Sequence, residues 1–255
     1  YNTTASGVAS TVMGDNSTAS GFASTAMGGE TTASGDWSTS MGLLSVATGQ
    51  FSTSMGVYTE ANGYYSTATG RKTIASDYAS TLIGQYNLMG STSTNSATEF
   101  STDNTAFVIG NGSGWDSSAQ QTNRSDALTV LFDGTTTIAG DLSINSDARL
   151  KANIISLGST LAKLLQIDGK TYTMKKDENK KQKIGVLAQD IEKVFPELVS
   201  ESNGVKSVNY QGLVPVLINA LKEQDSKMNE QEAKLNKQQA EIDELKAIVT
   251  KLITP

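Results

Sequence analysis

The chain has 255 residues, a formal net charge of −6, and neither cysteine nor histidine. These absences exclude disulfides, thiolate zinc sites and histidine-based catalytic triads, so we expect no metal and no cofactor. Residues 1–145 hold three basic and eleven acidic side chains, whereas residues 146–255 hold seventeen basic and fifteen acidic ones. A sparsely charged, acidic surface repels phosphate backbones, so we expect no nucleic-acid partner.

No apolar run approaches the roughly 20 residues that a bilayer-spanning helix needs, so we expect no membrane insertion in this chain. The sequence begins with Tyr1 and not with methionine, which indicates a fragment of a longer protein. The lack of a signal peptide therefore carries no information about secretion.

Residues 1–84 consist of six blocks of fourteen residues, among them DNSTASGFASTAMG and LLSVATGQFSTSMG. Glycine closes nearly every half-block, and together with frequent threonine and scarce charge it argues against a coiled-coil helix. The period predicts a β-solenoid of six coils with two short strands per coil, stacked over roughly 29 Å. Asp77 replaces glycine at one half-block end, where we expect a left-handed backbone conformation.

The alternation within each block predicts which side chains point inward. We expect the thin interior to be filled by the alanine that recurs in every block, at Ala5, Ala19, Ala33, Ala47, Ala61 and Ala75. The stripe predicted to point outward consists of Met13, Met27, Met41, Met55, Thr69 and Ile83. An exposed apolar stripe favours a partner, most simply two further copies of the chain. In the alternative arrangement the methionines form the interior and the alanines face outward.

The blocks resemble the head repeats of YadA-like trimeric adhesins, whose fourteen-residue repeats have the form SVAIGxxSxAxG. Here STAMG and TASG occupy the two strand positions, and threonine replaces the valine of the family. The resemblance covers about a third of the chain. It implies a left-handed parallel β-roll over residues 1–84.

Residues 85–145 alternate strand-like runs, at 107–109, 127–132 and 135–138, with turns rich in glycine and asparagine. None of these runs is long enough to build a core of its own. We interpret this part as a β-rich neck or stalk of interlocked strands that the other chains complete.

From residue 146 the pattern becomes α+β, with helical spacing over 157–167, a strand at KTYTMK, and KIGVLA leading into the amphipathic QDIEKVFPELV. We expect an α+β domain over 146–220 and a coiled coil over 221–255. The long helix after Gly212 repeats apolar residues every seven positions, and Gln224, Gln231 and Gln238 occupy d positions that fix the register. The predicted seam consists of Leu221, Met228, Leu235, Ile242, Leu245, Val249 and Leu252.

The segments SDARLKANI, GVLAQDIEKVFPELV and VKSVNYQGLVPVLINALKEQ resemble the intramolecular chaperone domain of the endosialidase type, found at the C-termini of phage tail spikes and fibres. The resemblance implies a domain that trimerises, guides folding of the β-stalk before it, and cuts the chain before the serine of its SDxRxK motif. By position it implies cleavage between Asn145 and Ser146, with Ser146 as nucleophile and Lys151 as general base. It also implies that Asp147 and Arg149 orient the turn.

Spacing alone says little about Ser146 and Lys151, because a solvated lysine beside a strand-end serine gives the same pattern. A neutral lysine can nevertheless activate a serine where histidine is lacking. Either an N-to-O acyl shift or a protease-like attack followed by hydrolysis would break the bond, and the sequence does not choose between them.

These interpretations together favour an extracellular homotrimeric fibre or adhesin, from a phage tail or a bacterial surface, with a self-cleaving C-terminal chaperone. The candidate partners are copies of the chain itself and a host-cell surface glycan or protein. We expect no turnover enzyme, only a single-turnover Ser–Lys endopeptidase step.

Two alternatives stay open. One is an uncleaved bacterial adhesin that contacts its ligand through exposed aromatic residues, which can equally form a packing ladder between coils. The aromatic residues concerned are Trp37, Phe51, Tyr58, Tyr64 and Tyr65. The other is a fragment of a glycan-degrading tail spike, which the lack of a recurring acidic pair in the repeats disfavours.

Overall fold

The computed structural model describes residues 2–89, 97–116, 121–175, 177 and 180–253. The chain divides into two compact units, residues 1–145 and 146–255. The division falls at the peptide bond between Asn145 and Ser146. Each unit has its own sheets and its own buried cluster, and each is described separately below.

The first unit begins with a parallel β-solenoid of six coils, each with one short and one long strand. The short strands form one sheet: β1 (Thr4–Ala5), β3 (Thr18–Ala19), β5 (Thr32–Ala33), β7 (Val46–Ala47), β9 (Glu60–Ala61) and β11 (Ile74–Ala75). The long strands form the other: β2 (Thr11–Asp15), β4 (Thr25–Gly29), β6 (Thr39–Leu43), β8 (Thr53–Val57), β10 (Thr67–Arg71) and β12 (Thr81–Gln85). Pairing advances by fourteen residues, so that Met13 lies beside Met27. The predicted solenoid is confirmed.

The solenoid interior is filled by small side chains. The recurring alanine is fully buried from Ala19 onward, while Ala5 in the first coil is exposed. The facing positions on the long strands include Ala26, Ser54 and Leu82, which are also buried. On the outward stripe, 53% of the Met13 surface and 40% of the Met55 surface is exposed, and the predicted assignment of faces is confirmed. The alternative with an internal methionine core is wrong.

The glycines that close the first half-blocks serve close backbone packing. A Cβ atom on Gly21 would lie under 3.0 Å from the carbonyl oxygen of Gly35, in the next coil. Asp77 does not have a left-handed backbone, so that expectation was wrong. A side chain is tolerated there because β11 is the last strand of its sheet, and the Asp77 carboxylate accepts a hydrogen bond from the Thr105 N–H at 2.9 Å.

The neck strands extend the sheet of long strands within the same chain. Strand β13 (Thr105–Asn111) pairs in parallel with β12, and β16 (Asp126–Leu131) pairs antiparallel with β13. Strand β17 (Thr136–Ile138) follows at the sheet edge, while β14 (Trp115–Asp116) and β15 (Gln121–Thr122) form a separate hairpin. The expectation that other chains complete these strands is wrong for β13 and β16, because their partners lie in this chain.

A buried asparagine ends the sheet of short strands. The Asn87 Oδ1 atom accepts a hydrogen bond from the Ile74 N–H at 2.8 Å, and its Nδ2 donates to the Ile74 carbonyl at 3.1 Å. The side-chain amide therefore pairs with β11 as the backbone of a seventh coil would. Nearby, the Leu88 N–H donates to the Asp126 carboxylate at 2.9 Å.

The second unit contains small hairpins, short helices and one long helix. Its helices and strands are α1 (Leu161–Leu164), β18 (Lys170–Tyr172), β19 (Lys183–Gly185), α2 (Ala188–Val194), β20 (Val199–Ser202), β21 (Val205–Val208) and α3 (Leu213–Ile253). The core joins Ile191 and Phe195 to Val216 of α3. The helix predicted over 157–167 is confined to the four residues of α1.

Helix α3 is continuous over 41 residues, about 60 Å at 1.5 Å per residue. The proposed boundary at residue 220 lies inside it. Its only buried residues are Val216 and Ala220, both near its start. In the part of the chain that the structure describes, no helix is both long enough and apolar enough to cross a membrane.

Candidate functional site

Ser146 and Lys151 lie on either side of one 3-10 turn, which spans Ala148–Leu150. Asp147 caps the turn, since its Oδ1 accepts a hydrogen bond from the backbone N–H of Arg149 at 2.9 Å. The turn brings the Lys151 Nζ atom within 2.7 Å of the Ser146 Oγ atom. The two groups that the sequence selected as nucleophile and base are therefore in hydrogen-bond contact.

Asp147 and Arg149 hold this turn through a bidentate ion pair. The Arg149 Nε donates to Oδ1 at 3.0 Å, and Nη2 donates to Oδ2 at 2.6 Å. The guanidinium lowers the pKa of the Asp147 carboxyl, and that carboxylate raises the pKa of Arg149. Because the pair is solvent-exposed, it contributes little to global stability, and its hydrogen bonds are local to the turn.

The Ser146–Lys151 pair is exposed in the single chain, as are all residues from 141 to 159. A lysine amine acts as a general base only in its neutral form, which burial favours. The single chain thus supplies the contact between the candidate nucleophile and the candidate base without enclosing it. Among the described residues, no group of three or more acidic side chains is placed to hold a metal ion.

A cluster of hydrogen bonds fastens the chain after the site to α3. The Glu223 carboxylate accepts hydrogen bonds from the Ser159 hydroxyl at 2.6 Å, from the Leu161 N–H at 3.1 Å, and from the Thr160 N–H. The Thr160 hydroxyl donates to the Val216 carbonyl at 2.8 Å. These bonds, led by that from Ser159, lower the pKa of Glu223. Glu223 thereby caps the first turn of α1.

Sequence reasoning missed this cluster, which we call the Glu223 cap. Ser159 and Thr160 before apolar Leu161 are typical of a helix N-terminus. Their acceptor lies more than 60 residues further on, and no local pattern indicates it. The cap lies beside Leu221, where the predicted seam begins.

The seam residues are all exposed in the single chain. Their exposed fractions range from 45% for Ile242 to 81% for Leu252. An apolar stripe that runs along a helix over five heptads is typical of a surface that packs against partner helices. The structure places the predicted seam on one helix and leaves its packing partner open.

Exposed aromatic residues form a ladder along the solenoid. The rings of Trp37 and Phe51 stack with centroids 4.8 Å apart, and those of Phe51 and Tyr65 stack at 5.0 Å. The packing interpretation is confirmed for these three residues. Tyr58 lies outside the ladder, against Lys72.

The fold and the site define a class: a β-solenoid protein with a separate α+β unit that begins at a contacting serine–lysine pair. Residues 146–200 match the family model described as chaperone of endosialidase. The YadA head domain repeat matches residues 5–21, 19–45 and 47–73. Both resemblances noted in the sequence are confirmed.

Two curated relatives are long tail fibre proteins. The chain is 31% identical over 99 residues to "Long tail fiber protein Gp37" of Salmonella phage S16, which covers 35% of this chain and 13% of the relative. It is 30% identical over 105 residues to the protein of the same name from Escherichia phage AR1, which covers 38% of this chain and 10% of the relative. The chain therefore spans only a small part of these relatives.

Proposed function

We propose that this chain is part of an extracellular trimeric fibre, carried on a phage tail, whose C-terminal domain is a folding chaperone that cleaves the chain once between Asn145 and Ser146. The observation that carries the proposal is the 2.7 Å contact between Lys151 Nζ and Ser146 Oγ. It lies at the first residue of the second compact unit, in the segment that matches the chaperone family.

Trimer formation is supported by two exposed apolar stripes, one on α3 and one on the long strands of the solenoid. Three parallel α3 helices would bury the seam, with the three glutamine layers fixing its register. In this proposal the chain has four parts: a solenoid over 1–84, a neck over 85–145, a chaperone domain over 146–220 and a coiled coil over 221–255. Helix α3 begins in the chaperone domain and continues into the coiled coil.

Cleavage would begin with attack of the Ser146 Oγ atom on the carbonyl carbon of Asn145. The neutral Lys151 amine accepts the hydroxyl proton, and the peptide C–N bond breaks as the Ser146 nitrogen takes up a proton. The acyl group is then held as an ester on Oγ. Water hydrolyses that ester to give a carboxylate at Asn145 and a free amine at Ser146.

Coupling of cleavage to assembly follows from the exposure of the site. Lys151 is exposed in the single chain, so enclosure of the Ser146–Lys151 pair would have to come from a neighbouring chain. Burial favours the neutral form of an amine, which is the form that accepts a proton. Cleavage would then report that three chains had assembled around the site.

A chaperone of this kind meets a need of the solenoid. Its coils repeat every fourteen residues with nearly the same side chains, so a pairing shifted by one whole coil keeps the small-residue interior in place. Non-local pairing with such alternatives is slow and prone to slippage. A coiled coil at the C-terminus holds the chains in one register and raises their effective concentration.

The direct test is electrophoresis and mass spectrometry of freshly expressed protein under denaturing conditions. Cleavage divides the 26.9 kDa chain into pieces of 145 and 110 residues, or about 15 and about 12 kDa. The smaller piece should begin at Ser146. If the chain forms trimers but stays intact, self-cleavage is wrong, and only the chaperone and assembly roles of the proposal are kept. In that case the uncleaved adhesin would become the better description.

A further inference from the structure

The three basic residues of the first unit lie at one place. Arg71 and Lys72 are adjacent, and the Arg124 Nη1 atom donates hydrogen bonds to the Lys72 carbonyl at 3.0 Å and to the Asn87 carbonyl at 2.8 Å. The rest of residues 1–145 carries eleven acidic side chains and no further cation. A unit of net charge −8 thus gathers all of its positive charge on one patch.

Tyrosine rings flank these cations. The Lys72 Nζ atom lies 5.0 Å from the ring centroid of Tyr58 and 5.7 Å from that of Tyr86. The Arg71 guanidinium carbon lies 5.5 Å from the Tyr86 centroid. Tyr58, Lys72 and Tyr86 occupy the same position of successive fourteen-residue turns, each with a left-handed backbone. The register of the solenoid therefore builds the patch, which we call the Lys72 patch.

The side-chain N–H donors of Arg71 and Lys72 make no hydrogen bond within the described residues. Among the described residues, neither side chain has a hydrogen-bond acceptor or an ion-pair partner, although both make cation–π contacts. Arg124 has a different role, because its guanidinium donates to the backbone carbonyls of Lys72 and Asn87 and so links these two parts of the chain. Burial lowers the pKa of Arg124. The negative charge of nearby Glu60 acts in the opposite direction and raises the pKa of Arg124.

We propose that Arg71, Lys72 and Tyr58 bind an anionic saccharide, a sugar residue that bears a carboxylate or a phosphate. Guanidinium and ammonium donors form charge-assisted hydrogen bonds with such anions. The Tyr58 ring, 46% of whose residue surface is exposed, offers an apolar surface for the sugar ring. The ladder rings are similarly exposed, but among the described residues no cation lies over Trp37, Phe51 or Tyr65, so the ladder suits this role less well.

This inference rests on the proposed function in one respect, which is that the Lys72 patch stays exposed to solvent in the assembled fibre. Calorimetric titration of the full chain in its assembled form tests it, with galacturonic acid trisaccharide, glucose 6-phosphate, maltotriose and inorganic phosphate as probes. At least one of the two anionic saccharides should bind at least tenfold more tightly than maltotriose and than inorganic phosphate. Which one binds distinguishes carboxylate from phosphate. Binding should weaken as salt screens the cations.

Variants separate this patch from general charge effects. Arg71→Gln with Lys72→Gln should weaken binding at least tenfold, and Tyr58→Ala should weaken it severalfold. The matched controls, Lys180→Gln with Lys181→Gln in the second unit and Tyr65→Ala in the ladder, should leave it unchanged. The proposal would be overturned by any of three results. These are an equal loss of affinity in the control variants, inorganic phosphate bound as tightly as the saccharides, and no binding by any probe. Repeating the titration in Ser146→Ala keeps this outcome independent of cleavage.

Discussion

The carboxylate of Glu223 accepts a 2.6 Å hydrogen bond from the hydroxyl of Ser159, 64 residues earlier in the chain. This contact ties the stretch that follows the Ser146–Lys151 pair to the helix that carries the predicted seam. One helix thus holds both the anchor of the site segment and the surface proposed to assemble the trimer.

Replacing Glu223 should loosen the second unit. Glu223→Ala leaves the N–H groups of Thr160 and Leu161 without their acceptor, so the thermal midpoint of this unit should fall. Glu223→Gln keeps an acceptor oxygen without the charge, so its thermal midpoint should fall less. Glu230→Ala, one heptad further along the exposed helix, is the matched control. Equal midpoints for Glu223→Ala and Glu230→Ala would show that the cap does not stabilise the unit.

The Glu223 cap also predicts a dependence on pH. Because the hydrogen bonds lower the pKa of Glu223 in the folded state, its stabilising contribution is present above the ordinary glutamate value of about 4.3. The contribution is lost as the pH falls through the lowered folded-state pKa. The difference in thermal midpoint between wild type and Glu223→Ala should therefore shrink in acid. A difference that stays constant from pH 7 to pH 2 would contradict this linkage.

The solenoid was predictable because its order is local. Each strand pairs with the strand one block away, so a fourteen-residue period fixes both the sheets and their register. The Glu223 cap was not predictable, because it joins distant parts of the chain. The sequence showed that Asp77 replaces a glycine of the repeat. Only the structure showed why a side chain fits there, because β11 is the last strand of its sheet. For the site, sequence supplied the Ser146–Lys151 pair, and the structure added its distance and its exposure.

Removing the asparagine that ends the short-strand sheet should destabilise the first unit. Asn87→Ala leaves the buried N–H and carbonyl of Ile74 without partners, at a cost of about 1–3 kcal/mol in the free energy of unfolding. Urea titration followed by circular dichroism measures this cost. Asn62→Ala, which removes a partly exposed asparagine of the same solenoid, should cost clearly less. Similar losses in the two variants would mean that Asn87 does not replace a coil.

Two glycine substitutions test the close packing of the coils. Gly21→Ala places a Cβ atom against the backbone of Gly35, which cannot move without separating two coils. Gly29→Ala meets only the flexible end of the Leu43 side chain, at 3.1 Å. We expect Gly21→Ala to lower the free energy of unfolding by more than about 2 kcal/mol, and Gly29→Ala to lower it by less than about 1 kcal/mol. A reversed order in urea titrations would refute the packing role of Gly21.

Charges in the seam should prevent both assembly and cleavage. Leu235→Glu with Ile242→Glu puts like charges of neighbouring helices against one another, so ultracentrifugation should show monomers at micromolar concentration. The same chains should not cleave, because Lys151 stays solvated. Ala233→Glu with Ala240→Glu adds equal charge on exposed helix positions outside the seam and should leave both properties intact. A monomeric seam variant that cleaves at the normal rate would separate cleavage from assembly.

Single substitutions at the serine–lysine pair should abolish cleavage and preserve trimers. Ser146→Ala removes the nucleophile and Lys151→Ala removes the base, and because the two act as a unit each loss should be on the order of a thousandfold or more. Lys151→Arg keeps the positive charge, but its guanidinium stays protonated, so it should be as inactive as alanine. Arg149→Ala loosens the turn without touching the reacting atoms and should slow cleavage only partly.

The measurement is the fraction of 12 kDa fragment over time, with ultracentrifugation to verify the trimer. Lys163→Ala, another exposed lysine of the same unit, serves as the matched control because it lies outside the turn and should cleave normally. If Lys151→Arg still cut at the same bond at the wild-type rate, Lys151 would act through its charge and not as a base. If Ser146→Ala still cut there, the nucleophile would have to be another group, and the 2.7 Å contact would be a structural one.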